Sequence, residues 1–395
     1  MLAALNLDFT HPLRNTLYRK IGQASWQFHS RNHSAESMHL LDNAVNEIGS
    51  GTYYTLQLFV LVFQAVVFLV VASSLSISMT LVMGLTGLLL LVLVIPVNRK
   101  VFVYGERVVK ASQALYRGMA EFFSGLKLAK SYNRTEWHVR AFEQTGERLL
   151  EGEKAVAYAS ASARMWLRIL TVTLLCGFVY VALDMVQMGS ERLLVFIVLV
   201  NRLYGVFSSG QNSWQALLQM LPSYELYRRS VARFDDQGET VLNDEGQIPV
   251  LKNSLRLENV SFRYGDIAER PILRDLTLSI PANKTIALTG ESGSGKSTLA
   301  DILMGLLIPD SGQLFVDDIE LTPELLYHWR KRVAYVPQEV HLFDDSIRSN
   351  LQWISDEKLD DNRIWEALDA AAAGDFVRRL PAQLDSRPGE RGVKL

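Results

Sequence analysis

The sequence predicts an all-α membrane domain followed by an α/β domain. Nearly all of the long apolar runs come before about Tyr227, and the rest mixes charged, apolar and glycine residues as soluble proteins do. A glycine-rich segment between an apolar strand pattern and a helical pattern marks the second part. We therefore predict a membrane domain over residues 1–235, a linker over 236–253 and an α/β domain over 254–395.

The composition argues against several classes of function. The chain has 40 Lys and Arg against 42 Asp and Glu, a net charge of -2, so no basic field points to nucleic acid as a partner. Its single cysteine, Cys176, can form neither an intramolecular disulfide nor the usual thiolate metal sites. Residues 1–10 have no basic segment leading into an apolar core, so they do not resemble a cleaved signal peptide.

Four stretches are apolar enough, and nearly or fully long enough, to cross a hydrocarbon core, which needs roughly 20 helical residues. The alternative is a set of buried helices in a large soluble protein, which would carry an apolar stripe on one face. The first two stretches are instead apolar on all sides. The four predicted spans are residues 53–72, 80–97, 166–188 and 193–207.

Basic residues predict the orientation of these spans, because Lys and Arg accumulate in cytoplasmic connections. The connections at residues 73–79 and 189–192 carry a single Arg between them, so we expect them outside. Both termini are then cytoplasmic, and we expect an integral, multi-pass protein of a bacterial inner membrane. The basic residues on the inside are Arg14, Arg19, Lys20 and Arg31 before the first span, and Arg99, Lys100, Arg107, Lys110 and Arg117 after the second.

The segment between the second and third spans, residues 98–164, is long, polar and free of proline, which favours helix. A hairpin with two arms of about 30 residues would project on the order of 45 Å from the membrane, at 1.5 Å per residue. An ordinary cytoplasmic domain of two helices is an equal alternative on this segment alone.

A glycine-rich loop is the strongest chemical signal in the sequence. Residues 286–289 are predicted as a buried strand, and a helix is predicted from Thr298 onward. The pattern G-x-x-x-x-G-K-S between them is a P-loop, whose backbone N–H groups cradle phosphates while the lysine neutralises the β- and γ-phosphates and the serine hydroxyl ligates Mg²⁺. The candidate residues are Gly290, Glu291, Ser292, Gly293, Ser294, Gly295, Lys296, Ser297 and Thr298.

Two flanking segments narrow the class of nucleotide-binding protein. Tyr264 follows a short alternating strand about 26 residues before the loop, and an aromatic ring there can stack on adenine. Downstream, a strand is predicted before Pro337 and Gln338. Taken singly, a core tyrosine and a routine turn explain these residues equally well.

Taken in order, these motifs closely resemble the ATP-binding cassette exporters, and the resemblance covers nearly the whole chain. It implies that Tyr264 stacks on adenine, that the P-loop is the Walker A motif, and that Gln338 is the Q-loop glutamine, a second Mg²⁺ ligand. Residues 386–395 resemble the X-loop leading into the signature motif. The resemblance also implies ATP and Mg²⁺ as cofactors, a lipid bilayer, and a homodimer or a heterodimer with another half-transporter.

The resemblance further implies that parts of the family pattern lie beyond this sequence. Four of six family membrane helices are expected here, with coupling helices near residues 30–42 and 111–121. The family continues from a leucine such as Leu395 with Ser-Gly-Gly-Gln, so the nucleotide-binding domain is expected to be incomplete. Its Walker B carboxylates and switch histidine are expected to be absent, and no catalytic residue is assigned. Asp317 and Asp318 imitate a Walker B strand but follow the P-loop too closely.

The expected function is therefore a subunit of an ATP-driven exporter of unknown substrate, in which this sequence binds ATP but does not hydrolyse it alone. Whether the chain is itself an enzyme stays undecided. The alternative is a non-transporting, nucleotide-binding membrane fragment that associates with a full-length partner. A membrane P-loop sensor of another family explains none of the motif order.

Overall fold

The computed structural model divides the chain into two compact units, Met1–Trp329 and Arg330–Leu395. Three predicted segments lie partly outside the described residues: the third span at 185–188, the linker at 240–248 and the expected X-loop at 390–395. The structure describes residues 2–32, 34–184, 190–239, 249–265, 271–338, 341–355 and 357–389.

Helices make up the N-terminal part of the first unit. A short π-helical turn, Leu40–Ala44, joins the third helix to the fourth. In chain order the helices are α1 (Leu2–Gln23), α2 (Trp26–Arg31), α3 (Ser34–His39), α4 (Val45–Leu75), α5 (Ile77–Ser131), α6 (Thr135–Asp184) and α7 (Ser190–Asp236).

Each predicted span falls on a different long helix: 53–72 on α4, 80–97 on α5, 166–184 on α6 and 193–207 on α7. By length and composition, three helical segments of the described chain can cross a membrane, and they contain α4, α5 and most of α7. The segment on α6 is not among them. The third span therefore stays a prediction.

A single residue separates α4 from α5. Ser76 has an extended backbone, with φ -165° and ψ 115°, and its hydroxyl caps α5 by accepting from the N–H of Met79. Ala72 and Met79, on either side of this turn, are fully buried in one cluster with Phe196 of α7. The connection is thus far shorter than the seven residues of the predicted loop, because serine can end one helix and cap the next.

The helices α5 and α6 form the long hairpin expected from residues 98–164. They pack along one another and are joined by a tight turn in which Asn133 has a left-handed backbone, φ 53°. The arm of α5 beyond its predicted span is about 50 Å long, at 1.5 Å per residue. The expected coupling helix at 111–121 is wrong as a separate element, because those residues lie inside continuous α5.

Four antiparallel strands follow the helices. The sheet order is β2-β1-β3-β4, and side chains of β1 alternate between buried and partly exposed along much of the strand. Antiparallel pairing suits a sheet with one covered face. The strands are β1 (Ser254–Phe262), β2 (Leu273–Pro281), β3 (Ser311–Val316) and β4 (Ile319–Glu320).

The two predicted strands next to the nucleotide motifs are wrong. Residues 286–289 have no regular secondary structure, and Ile286 and Leu288 are 48% and 40% exposed. The residues before Pro337 are likewise irregular, and Val336 is 88% exposed. A strand persists only if its N–H and C=O groups find a ladder, and a buried parallel strand also needs both faces covered. Among the described strands, β1 pairs with β2 and with β3, and β3 pairs with β4. None of these ladders includes either predicted strand.

Asp317 closes the turn between β3 and β4, which agrees with its exclusion as a Walker B residue. Its carboxylate accepts from the backbone N–H groups of Lys252 (3.0 Å), Asn253 (2.7 Å) and Ser254 (2.8 Å). These hydrogen bonds, led by that of Ser254, hold the pKa of Asp317 below its usual 3.8. The residue thus joins the start of β1 to the end of β3.

Asp317→Asn is expected to lower the midpoint of thermal unfolding at neutral pH, because the amide accepts these hydrogen bonds more weakly. A depressed folded pKa contributes stability above the unfolded value of about 3.8, and this contribution is lost as the pH falls through the folded value. The difference from wild type should therefore shrink below about pH 3.8. Asp318→Asn is the matched control. An equal effect of both variants would contradict the structural role of Asp317.

The second unit is a small helical cluster. Its helices include α10 (Ile347–Gln352), α11 (Asp361–Ala370) and α12 (Gly374–Arg378), which follow α8 (Lys296–Leu303) and α9 (Pro323–Arg330) in the chain. Ile364 and Val377 are buried at its centre. Arg348 contacts both Asp361 and Asp385, so one guanidinium ties three segments together.

Candidate nucleotide-binding site

The glycine-rich loop leads directly into α8. The helix begins at Lys296, two residues before the predicted start at Thr298, and Gly295 is its N-cap with a left-handed backbone, φ 88°. The first N–H groups of a helix have no partner within the helix and face an anion placed at its N-terminus. The loop and helix therefore bring residues 290–298 together in one continuous turn.

Gly295 is the position where the loop most needs a glycine. A Cβ built there would lie 3.0 Å from side-chain atoms of both Ile272 and Leu273, and its positive φ disfavours any other residue. The side chains of Ile272 and Leu273 thus pack against the backbone of the loop at Gly295. Sequence reasoning missed them, although an apolar pair at the point where β2 begins was a usable signal.

Lys296 lies across the loop rather than pointing away from it. Its ammonium Nζ donates to the carbonyl oxygens of Gly290 (3.0 Å) and Glu291 (2.7 Å). Both carbonyls belong to the loop that a triphosphate would occupy, so the lysine charge is already held at this position. An ammonium with three donors can turn from carbonyls to phosphate oxygens without moving its backbone.

Ser297 and Thr298 occupy the first turn of α8, where Ser297 is exposed and Thr298 is 6% exposed. In the described chain no group of three or more His, Cys, Asp or Glu side chains could hold a metal ion. A single hydroxyl ligand such as that of Ser297 suits Mg²⁺, which keeps several waters and is bound largely through substrate phosphates. The Ser297 hydroxyl would then supply a protein oxygen, while buried Thr298 supports the turn.

Asp301 follows one turn later on α8. Partial burial raises the pKa of its carboxyl group above the usual value.

The other two predicted contacts lie on separate elements. Tyr264 follows β1 and is 37% exposed, with its ring edge-on to that of buried Phe262 at 5.0 Å between centroids. A partly exposed tyrosine packed edge-on against a buried ring suits a stacking role. Gln338 belongs to the second compact unit, where it is exposed at a bend. The roles of both residues stay predictions.

Known protein families match both parts of the chain. The family described as ABC transporter transmembrane region matches residues 3–207, more than half of the sequence. The family described as ABC transporter matches residues 273–387. These two regions hold the long helices and the glycine-rich loop, respectively.

Individual proteins agree with the families. An ATP-dependent lipid A-core flippase of Photobacterium profundum is 39% identical over 153 residues, which are 39% of this chain and 26% of that protein. The chain thus spans about a quarter of the length of that relative. The uncharacterized ABC transporter ATP-binding protein YwjA of Bacillus subtilis is 25% identical over 425 positions, 99% of this chain and 68% of that protein.

A solved structure shows the same fold over the whole chain. A bacterial Atm1-family ABC exporter with ATP bound superposes with a TM-score of 0.84 at 19% identity, covering 100% of this chain and 69% of that one. This chain therefore belongs to the ATP-binding cassette transporters, as a fused half-transporter in which a helical membrane domain precedes a nucleotide-binding cassette.

Proposed function

We propose that the chain is the membrane-spanning, nucleotide-binding subunit of an ATP-driven exporter and binds MgATP at residues 290–298. The observation that carries this proposal is the loop geometry. Left-handed Gly295 turns the backbone into α8, and Lys296 is held over the loop by two carbonyl oxygens. A positive group and unpaired helix N–H groups then converge on one space, as a triphosphate requires.

The proposed unit of function is a dimer in a lipid bilayer, formed with a second copy or with another half-transporter. The long α5–α6 hairpin supports this arrangement, because an arm of about 50 Å extends well past the predicted spans. We place the dimer in a bacterial inner membrane with both termini in the cytoplasm. ATP held by Lys296 and Ser297 would there be linked to movement of the membrane helices.

The names of the relatives support only a broad proposal for the substrate of this chain. The lipid A-core flippase matches over about a quarter of its own length, so its name bears on the shared machinery more than on substrate choice. Export of an amphipathic molecule is consistent with that relative.

Ser297→Ala tests the proposed site through its dependence on Mg²⁺. Removing the hydroxyl should weaken binding of MgATP by about tenfold, because one metal ligand is lost. Binding of ATP in the presence of a chelator should barely change. Equilibrium titration of the full chain in detergent with a fluorescent ATP analogue measures both affinities.

Ser279→Ala is the matched control, since it removes an exposed hydroxyl on β2, outside the loop. It should leave the difference between Mg²⁺ and chelator intact. If wild type binds ATP equally well with and without Mg²⁺, or if both serine variants behave alike, the proposed coordination by Ser297 is wrong.

A further inference from the structure

A cavity of about 560 Å³ with a mixed apolar and polar lining lies among α4, α5, α6 and α7 on the cytoplasmic side of the predicted spans. Its volume falls within the roughly 300–1,000 Å³ of ordinary ligand sites. Charged groups on its wall include Glu47 of α4 and both Glu153 and Arg164 of α6. The cavity is separate from the glycine-rich loop and has no role in the nucleotide chemistry described above.

One face of α6 forms a continuous wall of this cavity. Glu153, Val156, Ala157, Ser160 and Arg164 all line it. Residues three, four and seven apart lie on the same side of a helix, so these side chains point in one direction. The α6 wall therefore carries an acid at one end, a hydroxyl in the middle and a base at the other end.

The charges are ordered along the membrane normal. Both α4 and α6 run from the cytoplasmic side into their predicted spans, so lower residue numbers lie farther from the membrane. Arg164 is two residues before the span at 166–188, whereas Glu47 and Glu153 come earlier on their helices. The cavity is thus positive next to the membrane and negative toward the cytoplasm.

These charges are not neutralised by one another. In the described part of the chain, neither Glu153 nor Arg164 forms an ion pair. Half-buried Glu47 accepts a hydrogen bond from the hydroxyl of Ser223, a neutral partner, and burial raises the pKa of its carboxyl group, so a bound cation would favour its charged form. A ligand with only a cation would leave Arg164 unpaired, and one with only an anion would face two carboxylates. A zwitterion satisfies all three charges.

Ser160 also lies on this wall, but its hydroxyl oxygen is closed off from the open space of the cavity. It is 7% exposed, and its hydroxyl oxygen is buried without any hydrogen-bond partner. Serine hydroxyls on helices commonly donate to a carbonyl of their own helix, as Ser162 does to Ala159 (2.9 Å). Because a ligand in the cavity does not reach this oxygen, the case for a ligand rests on the charged groups of the wall.

We infer that this cavity binds the headgroup of a zwitterionic aminophospholipid from the cytoplasmic leaflet. The phosphate contacts Arg164 at the membrane boundary, and the primary ammonium donates to Glu47 and Glu153 on the water side. This is the order of charges along such a headgroup, whose phosphate lies nearer the hydrocarbon core than its amine.

Native mass spectrometry of the full chain tests this site after exchange into vesicles of phosphatidylethanolamine, phosphatidylcholine or phosphatidylglycerol. Phosphatidylethanolamine should be retained about tenfold better than phosphatidylcholine, because a quaternary ammonium cannot donate to carboxylates. Glu47→Gln combined with Glu153→Gln should remove that preference. Arg164→Gln should reduce retention of phosphatidylethanolamine and phosphatidylcholine alike. Equal retention of all three lipids by wild type would overturn the assignment.

Two controls separate the site from general effects. Lys154→Gln changes a charge next to Glu153 but off the cavity wall, and should retain phosphatidylethanolamine as wild type does. Free phosphoethanolamine should be retained at least about tenfold less than the lipid, and equal retention would make the ligand a soluble one. Each variant must still bind MgATP like wild type, which shows that it is folded. Loss of lipid preference without loss of MgATP binding is the expected pattern.

Discussion

Lys296→Ala is expected to abolish measurable MgATP binding by the full chain. The ammonium is the positive side chain of the loop and already lies within hydrogen-bond distance of the carbonyls of Gly290 and Glu291. Removing one member of a hydrogen-bonded charge pair costs about 2–5 kcal/mol, which corresponds to about 30-fold or more in affinity. The alanine variant also leaves those two carbonyls without the donor that holds the loop.

The same titration should be run on Lys284→Ala, which removes an exposed lysine shortly before the loop. That control should bind MgATP within about twofold of wild type, because surface charges contribute little. If Lys296→Ala keeps its affinity, nucleotide binding does not use this loop. If both variants lose affinity equally, the effect comes from net charge rather than from the site.

The membrane part of the fold could be predicted closely, since it depends on local signals. Long apolar runs place each span on one helix, and the absence of proline between residues 98 and 164 predicts the helical arms. Details that depend on tertiary contacts could not be predicted from the sequence. The single-residue turn at Ser76 depends on packing of Met79 against Phe196, and the π-helical turn Leu40–Ala44 has no distinctive sequence signal.

The nucleotide site was predictable in its chemistry but not in its surroundings. The spacing of glycines, Lys296 and Ser297 identifies the loop and its helix, because backbone conformation there is set by residue type. The support from Ile272 and Leu273 comes from a segment over 20 residues earlier, which spacing alone cannot reveal. The strand expected at 286–289 failed because burial of an apolar run depends on partners, not on its own composition.

Gly312→Ala is expected to destabilise the sheet more than an ordinary substitution does. Gly312 is the second residue of β3 and has φ 85°, and a Cβ there would lie 2.5 Å from the carbonyl oxygens of both Glu258 and Asn259. The left-handed backbone costs alanine about 1–2 kcal/mol. Displacing the β1 backbone costs a further ~1–3 kcal/mol, since main-chain atoms cannot rotate away as a side chain can.

The matched control is Gly118→Ala on α5, where an added Cβ meets nothing within 4 Å. Alanine in a helix should be neutral or stabilise by up to about 1 kcal/mol. Thermal unfolding in detergent, followed by protease resistance of the nucleotide-binding part, should show a clear loss only for Gly312→Ala. Because Gly312 lies on the strand that pairs with β1, its replacement should also weaken MgATP binding indirectly. Equal midpoints for the two variants would mean that β1 and β3 do not pair as closely as the sheet requires.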